Sequence, residues 1–279
     1  MPESESLACG RFRLSLGRPL VMGIVNVTPD SFSDGGRFLD PAAAIAQARR
    51  LVEEGADLID IGAESSRPGA DAVDSKEEVR RLMPVLEAVR ELPVPISVDT
   101  MKPEVMRMAI AEGASMINDI NALRSPGALE AIAASNAGVC LMHMQGEPRS
   151  MQQAPRYGEV VAEVKAFLAG RMAAAQAHGI ARERIIVDPG FGFGKTVEHN
   201  FDLLRHLERI AELGLPVMAG WSRKSTLGTI TGRTATGRLA ASVAAALLAV
   251  QHGARIVRVH DVAATKDALA VLAAIQAQR

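Results

Sequence analysis

The sequence predicts an α/β chain folded as a single (β/α)8 TIM barrel domain over residues 1–279, with a short N-terminal strand or hairpin. Three observations carry this. Eight short apolar runs, each the length of a buried strand, alternate with segments of helical periodicity. The alternation continues with no change of composition and no low-complexity linker, and eight units exceed what a doubly wound open sheet commonly uses. Polar residues stand at the carboxyl ends of the apolar runs, the end at which parallel barrels carry their sites.

In chain order, Arg11 to Leu16 reads as a short strand. The first buried run, Val21 to Thr28, passes Asn26 and enters TPDSFSDGGRF, a loop too rich in Pro, Ser, Asp and Gly to be regular. PAAAIAQARRLVEEGA has helical spacing, stopped by Gly55. LIDIGAES is the second run, followed by SSRPGADAVDS and a helix from Ser75 to about Leu92. PISVDT brings Asp99, and the next helix opens at Pro103 and closes at Gly113. SMINDI carries Asn118 and Asp119 ahead of a helix from Pro126 to about Ser135. Val139 to Met144 leads through QGEPRSMQQAPRYG into an Ala-rich helix ending at Gly179. RIIVD is the sixth run, and LPVMAGW the seventh, backed by SRKSTLGTITGR and a second Ala-rich helix. Arg255 to His260 is the eighth, and TKDALAVLAAIQAQR closes the chain as an amphipathic helix.

Composition narrows the classes of function. With 48% hydrophobic and 23% charged residues, 279 residues suit a large α/β domain. Two cysteines, Cys9 and Cys140, make neither a disulfide framework nor a zinc cluster, which points to a reducing, cytoplasmic setting. MPESESLACGRF places acidic residues before any apolar run, unlike a secretory signal, and no run approaches the roughly 18 apolar residues that span a bilayer. No membrane partner is expected. A net charge of −1 argues against a nucleic-acid partner, so any anion site must be built by local clustering of bases.

RIIVDPGFGFGKT gives the sharpest local signal: a carboxylate, Asp188, at the end of a buried run, with Pro189 stopping the strand and alternating glycines freeing the backbone. It is not a phosphate-cradling P-loop, because the position of that motif's first glycine is Pro189, which has no N–H to offer. Gathering the strand ends puts Asn26, Glu64, Asp99, Asn118, His143, Asp188, Trp221, Arg258 and His260 on one rim. An apolar barrel has no structural use for so many polar groups at one end. Singly, each has a plain structural reading: Asp99 as a helix cap, His143 as a satisfied core histidine, Arg258 as a partner of Asp261 near the surface. Together, Asp99, Asn118 and Asp188 suit the N–H donors of a flat, nitrogen-rich heterocycle. Lys224 can donate to a ring carbonyl, while Arg67, Arg258 and His260 can bind an anion. Asn26 offers the kind of oxygen that Mg²⁺ accepts when phosphate and water complete its shell.

Eight ordered segments from about Val21 to Val262 then resemble the successive motifs of bacterial dihydropteroate synthases: NVTPDSFSDGG, GAESSRPGA, SVDT, INDI, LMHMQGEPRSMQ, DPGFGFGK, GWSRKS and RVHDV. The resemblance implies a transferase of folate biosynthesis that joins 6-hydroxymethyl-7,8-dihydropterin diphosphate to 4-aminobenzoate with Mg²⁺ present. It implies that Asp99, Asn118, Met142, Asp188, Lys224 and Arg258 hold the pterin. Asn26, Ser66, Arg67, Arg258 and His260 would meet the diphosphate, with Asn26 also at the metal. Phe32, Pro68, Phe193, Lys224 and Ser225 would line the aminobenzoate site, where sulfonamides compete in the family. Diphosphate leaves readily once its charge is countered, so no strong base or protein nucleophile is required. Asp34 could stabilise the resulting cation, beside Arg67, Lys224 and Arg258 as catalytic groups. Ala63 stands where these enzymes commonly have a second glycine, and Ser66 where they have threonine. Two other readings stay open, a pterin-dependent methyltransferase acting on a corrinoid protein and a non-catalytic pterin-binding relative. The resemblance also implies a homodimer through the late helices, with the Ala-rich helix Leu239 to Val250 either deeply buried or at that contact.

Overall fold

The computed structural model describes residues 6–27, 41–64 and 73–277. Two antiparallel strands, β1 (Ser6–Cys9) and β2 (Phe12–Ser15), form a hairpin turned at Gly10, whose φ of +55° suits glycine. The sequence-based strand over Arg11 to Leu16 captures only the second arm, because SLAC is too short for its alternation to register. Eight parallel strands follow: β3 (Leu20–Asn26), β4 (Leu58–Gly62), β5 (Ile96–Asp99), β6 (Met116–Asp119), β7 (Gly138–Met142), β8 (Ile185–Asp188), β9 (Val217–Ala219) and β10 (Ala254–Val259). They close into a barrel in sequence order, β10 pairing back onto β3, which is the expected (β/α)8 arrangement.

The covering helices are α1 (Pro41–Glu53), α2 (Ser75–Val89), α3 (Pro103–Ala111), α4 (Ala128–Ala133), α5 (Val160–Ala177), α6 (Val197–Arg205), α7 (Leu207–Ala211), α8 (Ser225–Thr231), α9 (Leu239–Gln251) and α10 (Val262–Gln276). Local chemistry sets several ends. Asp74 caps α2 by accepting from Glu77 N at 2.8 Å, and Thr196 with His199 forms a capping box on α6. Gly55 and Gly113, both at positive φ, follow α1 and α3 as anticipated. The helix expected from Pro126 begins two residues later, since Gly127 at φ +86° is left-handed and cannot join it.

Side chains alternate across each strand, so one set meets the helices and the other fills the barrel. Ile59, Ile61, Val98, Ile117, Val139, Leu141 and Val187 belong to the outer core shared with the helices. Met22, Leu58, Met116, Cys140, Ile186, Met218 and Ile256 form the interior layer, and Leu7, Cys9 and Leu16 of the hairpin region pack against its lower end. Each such buried side chain contributes on the order of 1.5–3 kcal/mol. One two-residue step above that layer the interior turns polar. Asp60 stands above Leu58, Asn118 above Met116, Asp188 above Ile186 and Arg258 above Ile256. The strand period thus stacks the polar layer on the apolar one.

Both cysteines are buried and free, and burial pushes the Cys9 thiol up to about 12 and the Cys140 thiol well above its ordinary value. Cys140 is a small core residue, as expected. Among the described residues no helix is long and apolar enough to cross a membrane. Two late helices turn apolar residues outward, so α9 is not the deeply buried helix that was one of its two expected placements. In α9 the buried residues are only Ser242, Ala245, Ala246 and Ala249, leaving Leu239 and Leu248 exposed. In α10, read as amphipathic, Val271 and Ile275 face solvent at 62% and 58% exposure, so apolar residues lie on the outer side as well.

Candidate active site

Register builds the rim. Asn26 is paired with Gly62, Gly62 with Asp99 and Asp99 with Asn118 across β3 to β6, so these residues share one level of the barrel. Met142 and Asp188 are paired in the same way across β7 and β8. Arg258 reaches inward from β10. Its Nε donates to Asp60 Oδ2 at 2.6 Å and its Nη2 to Asp99 Oδ2 at 3.0 Å. Asp60 Oδ2 also accepts from Asn118 Nδ2 at 3.0 Å. Asp60 was not among the sequence-derived rim residues, since it lies inside a strand and not at its end. Its signal was a lone carboxylate in LIDIG, one two-residue step below Gly62.

The structure therefore corrects two plain readings. Arg258 does not pair with Asp261, which is engaged by Arg223 Nη2 at 2.6 Å. Asp99 does not cap a helix, since the cap position of α3 is Lys102 and Asp99 faces Arg258. Burial holds the Asp99 carboxyl above the usual carboxylate range, with Arg258 acting against that shift and the neighbouring Asp60 reinforcing it. Burial raises Asp188 too, opposed by Lys224 and by the Gly190 N–H, which donates to Asp188 Oδ1 at 2.7 Å. Lys224 is brought down to about 8, chiefly by burial, against the attraction of Asp188. These groups converge. A methyl group placed on Gly220 would lie 3.8 Å from Lys224 Nζ, 3.9 Å from Asp188 Oδ2 and 3.9 Å from Arg258 Cβ.

The loop after β8 is held from behind. Lys195 is 3% exposed and donates to the carbonyls of Gly190 and Phe193 at 3.0 Å each. Its Nζ also lies 2.9 Å from His143 Nδ1. His143 is thus the satisfied core histidine of the plain reading. Burial, followed by Lys195, depresses it to about 3, so it stays neutral at physiological pH with one nitrogen occupied. Gly190 is at φ +69°, and a Cβ there would collide with the His143 carbonyl oxygen.

On the opposite side Lys224 Nζ donates to the Phe191 carbonyl and lies 4.5 Å from the centre of the Phe193 ring. Ser225 is the first residue of α8, beside Lys224 at its cap position. The preceding Arg223 has φ +59° in this turn, a left-handed conformation that costs about 1–3 kcal/mol and is held by its ion pair to Asp261. Ser222 Oγ lies 2.9 Å from His260 Nδ1 and accepts from His260 N at 3.1 Å, which fixes the imidazole. Met142 packs with Ile120, Met144 and Met151 against Phe193, an apolar wall next to the acceptors.

Glu64 points sideways and does not join this group. It accepts from Lys102 Nζ at 2.5 Å and from Val73 N at 3.0 Å, while Lys102 also bridges to the buried Glu78. Trp221 is buried against Phe191, with ring centres 4.6 Å apart. A cleft of about 790 Å³ opens from Asp99 over Met101, Ile120 and Met144 toward Arg124 and Arg149. It touches the acceptor rim at Asp99 alone and excludes Asp188 and Lys224, so the chemistry is located by the convergent side chains and not by this cleft. Phe32, Asp34, Ser66, Arg67 and Pro68 lie outside the described residues.

This geometry is matched by similarity to known proteins. Residues 22–260 fit the family model described as pterin binding enzyme. A dihydropteroate synthase of Neisseria meningitidis serogroup C is 54% identical over 265 residues, 93% of this chain and 94% of that one. The chain belongs to the dihydropteroate synthases of the pterin-binding enzyme family. Among solved structures it is similar to Xanthomonas albilineans dihydropteroate synthase with 4-aminobenzoic acid, at TM-score 0.93 and 57% identity over 99% of each chain. It is likewise similar to Burkholderia cenocepacia dihydropteroate synthase complexed with 7,8-dihydropteroate, at TM-score 0.90 and 52% identity over 98% of each chain.

The glycine loop yields a test. Gly190→Ala should lower stability by about 2–5 kcal/mol, the sum of a left-handed alanine and an overpacked contact. Gly170→Ala on α5, where a Cβ meets nothing within 4 Å, should instead raise stability by about 0.5–1 kcal/mol. Urea denaturation of the two variants checks both, and equal midpoints would contradict the packing described for Gly190.

Proposed function

We propose that this protein joins 6-hydroxymethyl-7,8-dihydropterin diphosphate to 4-aminobenzoate, giving 7,8-dihydropteroate and diphosphate in tetrahydrofolate biosynthesis, as one pterin-binding barrel domain spanning residues 1–279. The observation that carries the reading is the convergence of Asp99, Asn118 and Asp188 with Lys224 and Arg258 on one barrel rim. Carboxylates and a carboxamide oxygen accept from the amino and ring N–H groups of the pterin, Lys224 donates to its carbonyl, and Met142 packs alongside. Arg258 serves both the ring and the diphosphate. Asn26, Ser66, Arg67 and His260 complete the diphosphate site, and Phe32, Pro68, Phe193, Lys224 and Ser225 the aminobenzoate site.

The reaction then asks little of acid–base groups. The carbon–oxygen bond to diphosphate ionises, its electron pair leaving with the diphosphate, and the cation is delocalised into the pterin. The arylamine nitrogen donates its lone pair to that carbon, and the new ammonium loses its proton to solvent or to the departing diphosphate. Arg67, Lys224 and Arg258 counter the developing negative charge, and Asp34 stabilises the cation. His143, neutral and tied to Lys195, is not needed as a base.

Among the described residues no three His, Cys, Asp or Glu side chains are grouped to hold a metal. A Mg²⁺ ion would be held by the Asn26 carboxamide oxygen, a hard donor that fits this ion when diphosphate and water supply the rest. Bound there, Mg²⁺ supplies charge neutralisation for the leaving group. Sulfonamides carry an arylamine para to an anionic group, as 4-aminobenzoate does, and compete for its site. The exposed Leu239, Leu248, Val271 and Ile275 on α9 and α10 suit a homodimer contact. Two buried free thiols agree with a cytoplasmic setting.

Formation of 7,8-dihydropteroate should require the pterin diphosphate, Mg²⁺ and 4-aminobenzoate together and fall at least about a hundredfold in Asp188→Ala, the loss of two charge-assisted hydrogen bonds. Tight pterin binding with no diphosphate release would replace the synthase by a binding protein. In the same assay, near-normal single-turnover chemistry in Asp34→Ala would remove that residue's role. Because Lys224 loses its proton as pH rises through about 8, kcat/KM should fall about tenfold per unit above that value. Lys224→Arg should work more slowly but without that limb. Sedimentation at micromolar concentration should give a dimer for the wild type and a monomer for Leu248→Glu; a wild-type monomer would remove the dimer.

A further inference from the structure

Among the described residues, Asp60 is the one carboxylate of the polar layer that lies beneath the rim. It is mid-strand in β4, fully buried, and in register with Ser97 of β5. Its Oδ2 receives Arg258 Nε at 2.6 Å and Asn118 Nδ2 at 3.0 Å. A carboxylate in an ion pair accepts and does not donate. The end of the Asn118 side chain that meets Asp60 must therefore be its NH2, which turns Oδ1 the other way. Asn118 is 3% exposed, and among the described residues its Oδ1 is buried with no hydrogen-bond partner. A buried carbonyl oxygen without a donor is unfavourable, and a ligand N–H would satisfy it.

We propose that Asp60 is a positioning and specificity-determining residue: by capturing the Asn118 NH2 it keeps the amide oxygen toward the ligand, so the site selects a pteridine with an amino group over its oxo counterpart. The proposal rests on the pterin reading given above and adds to it the reason why Asn118 presents an acceptor. Without an acceptor at position 60 the amide can rotate by half a turn and offer its NH2 instead, which suits a carbonyl as well as the oxygen suits an amino group. Neutralising Arg258 is a separate task, and Asp99 already takes part in it through Nη2. The two tasks come apart on substitution. Asp60→Asn removes the charge but can keep an oxygen where Oδ2 now stands, whereas Asp60→Ala removes both.

The experiment is titration of the full-length protein with pterin, the 2-amino-4-oxo compound, and lumazine, the 2,4-dioxo compound, followed by ligand fluorescence. The wild type should prefer pterin, and Asp60→Ala should reduce that preference by about tenfold, the worth of one net hydrogen bond. Asp60→Asn should keep the preference within about twofold of wild type, although both ligands bind it more weakly. A structural or charge-balancing role would weaken both ligands in proportion, so an unchanged ratio in Asp60→Ala overturns the proposal. A ratio lost in Asp60→Asn as fully as in Asp60→Ala overturns it too. If Asp60→Ala does not fold, Asp60→Val, which suits a strand and also lacks an acceptor, replaces it. Failure of the wild type to bind either pteridine would instead sink the pterin reading itself.

Discussion

Arg258 crosses the barrel interior from β10 and ends between two carboxylates, Asp60 at 2.6 Å and Asp99 at 3.0 Å, immediately above a layer of methionine, leucine and isoleucine. Charges taken this far from water are expensive, and a group of apolar residues in their place would commonly be as stable or more so. The surrounding protein also pushes Arg258 further toward its charged form through Asp60 and Asp99, against the cost of its burial. Everything else on the rim is arranged around this cluster. It sets the amide of Asn118 and leaves Asp188 to be answered from the other side by Lys224.

The loops are fixed by backbone contacts more than by side-chain packing. Lys195 gathers the carbonyls of Gly190 and Phe193 and the ring of His143, Tyr157 Oη donates to the Gly194 carbonyl at 2.8 Å, and Asn200 Oδ1 accepts from Gly192 N at 2.7 Å. Such bonds allow the glycines to hold positive φ without drifting. They also explain how a buried ammonium is tolerated: each of its protons has an acceptor, even though burial drives its pKa well below that of a free lysine. Phe193 and the Phe191 carbonyl, both contacts of Lys224, are carried by this braced loop. The consequence is that this loop, with its contacts to Lys224, is preorganised ahead of a ligand.

The near-neutral chain thus makes its anion and cation sites by local segregation. Acceptors come from β4, β5, β6 and β8, and bases from β10 and the turn before α8. Opposite fields stand a few ångströms apart because the strands of a closed barrel bring residues distant in sequence to one level.

The barrel and most of the rim were legible in the sequence, because strand periodicity and the residues at strand ends are local properties. Eight buried runs of the right length determine eight strands, and polar residues at their ends determine where Asp99, Asn118, Asp188 and Arg258 stand. Pairings across the barrel are not local. Whether Arg258 meets Asp261, three residues away, or Asp60, 198 residues away, depends on strand closure, which alone brings β10 and β4 to the same interior. The same holds for Lys195, whose acceptors include a histidine 52 residues earlier, and for Glu64, which leaves the rim for Lys102 and Val73. Sequence determined which groups line the barrel mouth; tertiary structure decided which of them are spent on one another and which oxygens remain for a ligand, since a hydrogen bond depends on direction and distance that no linear pattern encodes.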